Sequence, residues 1–560
     1  MSSTEVVSST DVLSSPDKTA HPTNDHEKAH ASDTAALPAA DLGAERMLGE
    51  HTELRQSLYM RHIQMIALAG TIGTGLFLSS GQAVAQSGPL GALIGYLVIG
   101  LSSCSVTFAN AEMGALVPLN GGIVRYAEHF VDPALAFANG WNLVYACVVA
   151  MPAGLVAAAV LVEFWVAVNA AIWITVFGVL TLLASSVLVR VFGELEFFFA
   201  MMKIALIVGV NIMKKLLVIT CGGGPDGDRI GFRYWRDPGP FVQYLGIEGS
   251  WGRFLGVWTA LSQAVFAYTG IEGISMAAAE TRSPRQAIPA AAKRIFVRVL
   301  LFYVISILLI GLTVPSNDPD LSLYSGTAST SPFVLAAKRA GIKGVPSTIN
   351  AVILTSAWSA GNSQMLGATR VLYGLAVDGR APKIFTRLNR FSIPWVAVAL
   401  YGLFMGLGYM TLSDGASVAF QWLQNLVAIS TIVNWLAICL TYLRFFYGMK
   451  RQGIPRSALP WAAPFQPYIT WISGALFSLI LVTGGYATFI HGNWSSEHFV
   501  SSYINIPLFA ILYFGYKLIK KTKIVALEDI PIRGFIALAN ADPEEKLGPK
   551  TGLSRLNVLW

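Results

Sequence analysis

Long apolar runs separated by short polar stretches dominate the chain from His62 to about Tyr516. Crossing a hydrocarbon core about 30 Å thick takes roughly 20 residues of helix. Twelve runs reach that length, at 62–81, 90–111, 134–166, 171–190, 197–219, 253–279, 295–315, 347–373, 394–412, 417–442, 468–490 and 501–520. The pattern predicts an all-α integral membrane protein with twelve transmembrane helices. The third run is long enough to tilt or to continue past the bilayer, and 331–341 reads as a short helix lying on the surface.

Two of the runs are interrupted. Gly70-Thr71-Ile72-Gly73-Thr74-Gly75 breaks the first, and Phe266-Ala267-Tyr268-Thr269-Gly270-Ile271-Glu272-Gly273 breaks the sixth. Unpaired backbone at bilayer depth is tolerated only where it is buried in protein or lines a watery cavity. A single glycine in a membrane helix is ordinarily a packing contact. Two clusters five spans apart predict instead that helices one and six are discontinuous. An odd number of crossings between them inverts the second copy, which fits a 5+5 inverted repeat plus two extra helices. Freed amides at Thr71, Ile72, Gly73, Thr74 and Gly75, at the positive end of a half-helix, can receive a carboxylate. Freed carbonyls over Phe266, Ala267, Thr269 and Gly270 can accept from an ammonium group. A zwitterion bridges the two breaks, and an α-amino acid is the economical ligand.

Composition agrees with the spans. Of 560 residues, 54% are hydrophobic and 13% charged, with a mean hydropathy of +0.56, whereas soluble domains carry about 25% charged residues. The net charge of +7 reports topology rather than nucleic-acid binding. Arg282, Arg285, Lys293, Arg294 and Arg298 form one basic cluster, and Arg380, Lys383, Arg387 and Arg390 a second. Arg444, Lys450, Arg451 and Arg456 make a third, and Lys517, Lys520, Lys521 and Lys523 a fourth. The positive-inside rule puts all four, and both termini, in the cytoplasm. The loop 220–252 runs against it, although four acidic residues offset its three arginines.

Residues 1–50 lack apolar periodicity and read as a disordered cytoplasmic tail. Lys18 and Lys28 there are candidate acceptors for ubiquitin-ligase machinery. Residues 51–523 form the membrane domain, and 524–560 a cytoplasmic C-terminal tail. The cysteines Cys104, Cys147, Cys221 and Cys439 have no metal or disulfide spacing. The eight histidines form no set with a nucleophile or metal, so no enzyme chemistry, cofactor or metal site is expected. Lys214-Lys215, near the outer end of the fifth span, marks an early exit into the headgroups or a local anomaly.

Further stretches carry a family likeness from about Leu54 to Lys523. They are Arg61-His62-Ile63-Gln64-Met65-Ile66-Ala67-Leu68 before the glycine cluster, Phe192-Gly193-Glu194-Leu195-Glu196-Phe197, Gly231-Phe232-Arg233-Tyr234-Trp235, Phe266 to Glu272 with Glu280, and Ser359-Ala360-Gly361-Asn362-Ser363. The sequence resembles a fungal amino-acid permease of the amino acid, polyamine and organocation superfamily, in its yeast amino acid transporter family. That resemblance implies the leucine-transporter-type fold and proton-coupled uptake of amino acids across a fungal plasma membrane, driven by the proton gradient.

The resemblance and the span positions put Ala146, Tyr268 and Val427 against the substrate side chain. None is acidic, which disfavours cationic substrates and points to neutral amino acids, proline included. Lys203 and Glu272 are the candidate proton carriers. Lys203 matches a lysine that in proton-coupled bacterial relatives takes the place of sodium; a lysine snorkelling from the span end is the other reading. Glu272 lies just past the second break, either as a structural tie or as an exchanging acid. One departure stands out: Met151-Pro152-Ala153-Gly154-Leu155 occupies the place where relatives carry Pro-x-Glu-Leu. Glu163 is about half a helix rotation away and does not substitute on the same face. Glycine at 154 raises the alternative of an amino-acid sensor or a decoupled permease.

Overall fold

The computed structural model describes residues 73–118, 122–166, 168–187, 189–219, 230–273, 284–321 and 331–541. The N-terminal tail, Thr71, Ile72, Cys221 and Glu280 lie outside them. Helix α1 (Gly75–Leu116) opens with a π-helical turn, Gly75–Ser79. It consists of two helices that meet at Gly88, one from the expected span 62–81 and one over 90–111. The join works because it bends: Gly88 has φ 79° and ψ 170°, and Pro89 follows. The bend frees backbone groups, and the segment before α6 supplies partners. Leu90 N–H donates to Pro240 O (3.0 Å) and Val242 N–H to Ser87 O (3.3 Å). A side chain at Gly88 would meet Pro240 O at 2.6 Å, so this crossing needs glycine.

Helix α2 (Gly122–Phe130) precedes α3 (Pro133–Val162), which starts with Pro133 in its first turn and Asp132 as the cap, accepting from Ala134 N–H at 2.8 Å. Glu163 follows α3 directly rather than lying inside it. Next come α4 (Ala170–Val187), α5 (Val189–Ile219), α6 (Gly249–Ala267) and α7 (Pro284–Thr313). Then follow α8 (Pro332–Arg339), α9 (Val345–Val377), α10 (Trp395–Met410) and α11 (Ala416–Arg451). The last are α12 (Tyr468–Thr483), α13 (Ser496–Lys520) and α14 (Ile532–Ala541).

Among the described residues, seven helical segments are long and apolar enough to cross a membrane. They are α1, α3, Leu195–Leu216 of α5, α7, α11, Tyr468–Phe489 and α13. Several expected spans fall short for identifiable reasons. Helices α4 and α10 are short, and α9 carries Ser356, Ser359, Asn362, Ser363 and Gln364 mid-helix. Such polar helices persist in a membrane by facing other helices. The core helices α3 and α11 accordingly pack against α9 and α1, while α12 and α13 present Trp471, Leu479, Val482, Ile511 and Leu518 outward.

Helix α8 forms where a surface helix was expected, but it is not on the surface. Phe333, Val334 and Ala337 are fully buried, Phe333 packs edge-on to Phe77 of α1 (5.3 Å between centroids), and Ser331 Oγ donates to Phe77 O at 2.9 Å. Lys214 is buried too, its Nζ 4.0 Å from the Phe333 ring. It does not exit into headgroups.

Members of the second, third and fourth basic clusters find partners near the ends of α1, α2 and the start of α3. Arg125 of α2 pairs with Asp378 (2.8 Å) and Arg380 with Glu128. Arg444 Nε donates to Phe130 O at 2.9 Å, Lys517 to Asp132 Oδ2 at 2.5 Å, and Arg456 to Glu112 Oε2 at 2.7 Å. Residues 525–535 dock at this end. Val525 N–H donates to Val131 O at 2.9 Å, Arg444 also donates to Val525 O, and Ile530, Ile532 and Phe535 are buried. Gln452 Nε2 lies 3.0, 3.2 and 2.8 Å from the carbonyls of Leu527, Glu528 and Ile530.

Candidate functional site

The end of the first glycine cluster lies against the turn that follows α6. Helix α6 stops at Ala267, and the backbone continues through turns: Thr269 N–H donates to Phe266 O (3.3 Å), Ile271 N–H to Tyr268 O (3.4 Å) and Gly273 N–H to Gly270 O (3.1 Å). Gly270 has φ 90°, which permits the reversal. A Cβ at Gly75 would stand 2.5 Å from Ala267 Cα and 3.1 Å from Phe266 O. The start of α1 therefore rests on the backbone at the end of α6, and only glycine allows that approach.

Beside this contact is a cavity of about 60 Å³. Gly73, Thr74 and Gly75 line it from the first break, and Phe266, Ala267 and Thr269 from the second. Ala150, Ala153 and Gly154 of α3 form one wall, Ala360, Gly361 and Gln364 of α9 another, and Val427 of α11 closes it. No lining residue carries a charge.

Three sequence-derived positions are not in the lining. Tyr268 turns away: its ring stacks on Tyr303 at 4.5 Å, and its hydroxyl donates to Tyr96 O at 2.9 Å. Gly270 shapes the turn, and Ala146 lies one helical turn from Ala150 along α3. Ala150, Ala153, Ala360, Gly361 and Gln364 were not singled out individually from sequence as site residues. Small residues in an apolar helix give no signal that separates a cavity wall from a helix contact.

Behind the wall are two buried polar clusters. Lys203 Nζ of α5 donates to Ser359 Oγ (3.0 Å), and that hydroxyl lies 2.8 and 2.7 Å from the carboxylate oxygens of Glu196. Lys203 and Glu196 are themselves 3.9 Å apart. The lysine is therefore held in a bundle-facing ion pair rather than snorkelling to an interface. Ser359 directly precedes the lining residues Ala360 and Gly361. Glu272 accepts from Asn434 Nδ2 (3.2 Å) and Trp435 Nε1 (3.1 Å) of α11. Asn434 in turn accepts from Asn139 at 3.1 Å. Thr269, in the lining, shares a hydroxyl contact of 3.2 Å with Thr431, one helical turn before Asn434 and Trp435.

The sequence over residues 62–528 matches the model of the Amino acid permease family. The chain belongs to that family. It is a membrane transporter and not an enzyme. This permease is 37% identical over 503 residues to the dicarboxylic amino acid permease of Saccharomyces cerevisiae, covering 89% of its own length and 82% of the relative. It is 39% identical over 485 residues to the proline-specific permease of Emericella nidulans, at 85% and 88% coverage. With the lysine-specific permease of Saccharomyces cerevisiae it shares 35% identity, over 86% and 79% of the two chains. In three dimensions the permease resembles a manganese transporter of Eremococcus coleocola, with a TM-score of 0.53 at 15% identity, over 85% of this chain and 94% of that one. Likeness at that identity speaks for the fold, an all-helical membrane bundle.

Proposed function

We propose that the permease imports neutral amino acids, proline among them, across a fungal plasma membrane by proton symport with alternating access. In this reading the fold has twelve spans, as two inverted five-helix repeats and two added helices, with both termini cytoplasmic. The observation that carries it is the uncharged cavity between the two breaks, with helix-start amides on one side and turn backbone on the other. The substrate carboxylate meets the amides from Thr71 to Gly75, and its ammonium group meets backbone over Phe266 to Gly270. A cavity without a carboxylate or a basic side chain gives a cationic or anionic substrate side chain no counter-charge, and burying such a charge is costly.

Lys203 carries the coupling proton in this scheme, with Ser359 linking it to the α9 wall, and Glu272 is the second carrier, reached through Thr269 and Thr431. Glycine at 154 keeps the usual third-span acid out of the cavity, which favours Lys203. The test is uptake of labelled amino acids into vesicles holding the purified permease, with and without an imposed inward proton gradient. Gradient-driven accumulation of neutral amino acids is the expected result. Binding without accumulation, restored by Gly154→Glu, would replace this reading with a sensor or a decoupled permease.

A further inference from the structure

The cavity wall offers few hydrogen-bonding side chains, and they differ in what they already bind. Thr269 is engaged with Val265 O (3.3 Å) and with Thr431. Thr74 sits at the first break, among the amides that face the substrate carboxylate. Gln364 is different: it is half-buried on α9, it lines the cavity, and its carboxamide has no hydrogen-bond partner among the described residues. Gly361, one turn earlier on the same helix face, leaves room beside it, since a Cβ there would meet nothing within 4 Å. Opposite, Gly154 brings no side chain into that room.

A carboxamide has two donor hydrogens and an acceptor oxygen. An aliphatic substrate side chain lying against Gln364 strips it of water and returns nothing, whereas another carboxamide meets both its donor and its acceptor. A carboxylate can accept from the amide but leaves its own charge without a cation in the wall. We propose that Gln364 determines substrate class, selecting amino acids with a terminal carboxamide, asparagine and glutamine, over aliphatic and acidic ones. This rests on the reading that the cavity between the breaks holds the transported amino acid.

The experiment is competition for uptake among asparagine, glutamine, aspartate, leucine and proline, in vesicles holding wild-type permease or Gln364→Leu, normalised to inserted protein. In the wild type, asparagine or glutamine should compete best. In Gln364→Leu the carboxamide-to-leucine uptake ratio should fall on the order of tenfold to a hundredfold, the range for leaving a buried polar group unpaired. An unchanged ratio in the variant, or a wild type that prefers leucine, proline or aspartate, overturns the inference while leaving amino-acid transport standing. A wild type that accumulates no amino acid overturns the transport reading itself. If Gln364→Leu fails to insert, the wild-type order decides alone, and Gln364→Asn, which keeps a shortened carboxamide, should retain the preference.

Discussion

Gly75→Ala is the sharpest test of how the two breaks meet. In an ordinary helix the change gains about 0.5–1 kcal/mol from reduced backbone freedom. Here the new Cβ would lie 2.5 Å from Ala267 Cα and 3.0 Å from Ala267 N, where carbon contacts begin at about 3.5 Å. Both atoms are backbone, so no side chain can swing aside, and α1 must part from α6 by about 1 Å. Overpacking of this kind costs about 1–3 kcal/mol. At the midpoints of these ranges the steric term wins by about 1 kcal/mol in the state where Gly75 touches α6, or roughly five- to tenfold in its population. The assay is initial amino-acid uptake per surface copy, read with a fluorescent fusion, together with the melting temperature of purified protein. Gly209→Ala in α5 is the control, because its Cβ would meet nothing within 4 Å. Gly154→Ala should have a smaller effect than Gly75→Ala, with its closest contact at 3.5 Å. If Gly75→Ala matched the wild type in both uptake per copy and melting, the close approach would be wrong.

Three further outcomes follow from contacts away from the cavity. Glu196→Ala removes the acceptor of the Ser359 hydroxyl and one charge beside Lys203 and should lower stability by about 1–3 kcal/mol; thermal melts that match the wild type would refute the bridge. Burial pushes the Asp132 carboxyl up, but the hydrogen bonds from Lys517 and Ala134 N–H outweigh it and hold it below the usual carboxylate range. Its stabilisation is complete above the unfolded value of about 3.9 and is lost only as pH falls through the lower folded value. The melting deficit of Asp132→Asn should therefore be constant from about pH 5.5 to about pH 8, and a deficit that shrinks towards the acid end would contradict this. Gln452→Ala removes the amide that meets three carbonyls of the C-terminal segment and should speed limited proteolysis between 524 and 541; unchanged cleavage would show that the segment docks without it.

What could be read from the chain and what could not divide along a physical line. Glycine clusters in apolar runs are loud, because glycine leaves helical geometry without a steric cost, so the turn over Phe266–Gly270 was visible. Which wall each side chain faces was not. Tyr268 looks like a selectivity residue by its position beside a break, yet its ring finds a better site between Tyr96 and Tyr303. Lys203 was visible as a charge inside a span, while its link to Glu196 runs through Ser359, 163 residues further on in sequence. Helix α2 was missed although Ile123, Val124, Ala127 and Phe130 keep helical spacing, because at nine residues it is too short for a search tuned to spans. The docking of 525–535 was missed because Glu528, Asp529, Pro531 and Arg533 cut an otherwise apolar stretch into pieces too short to span a bilayer, and the shared burial of Ile530, Ile532 and Phe535 shows that it packs on the bundle instead.

That docking has a mechanical side. Val525 is stitched to Val131, just ahead of α3, while Arg444 and Gln452 anchor the same segment to α11. The segment thus spans two core helices that also wall the cavity through Gly154 and Val427. Any hinge that spreads α3 from α11 at this end has to stretch or unpick it, so residues 525–535 act as a gauge sewn across the joint. A spectroscopic label on this segment would register any parting of α3 from α11 from outside the core, without touching a single residue that lines the cavity.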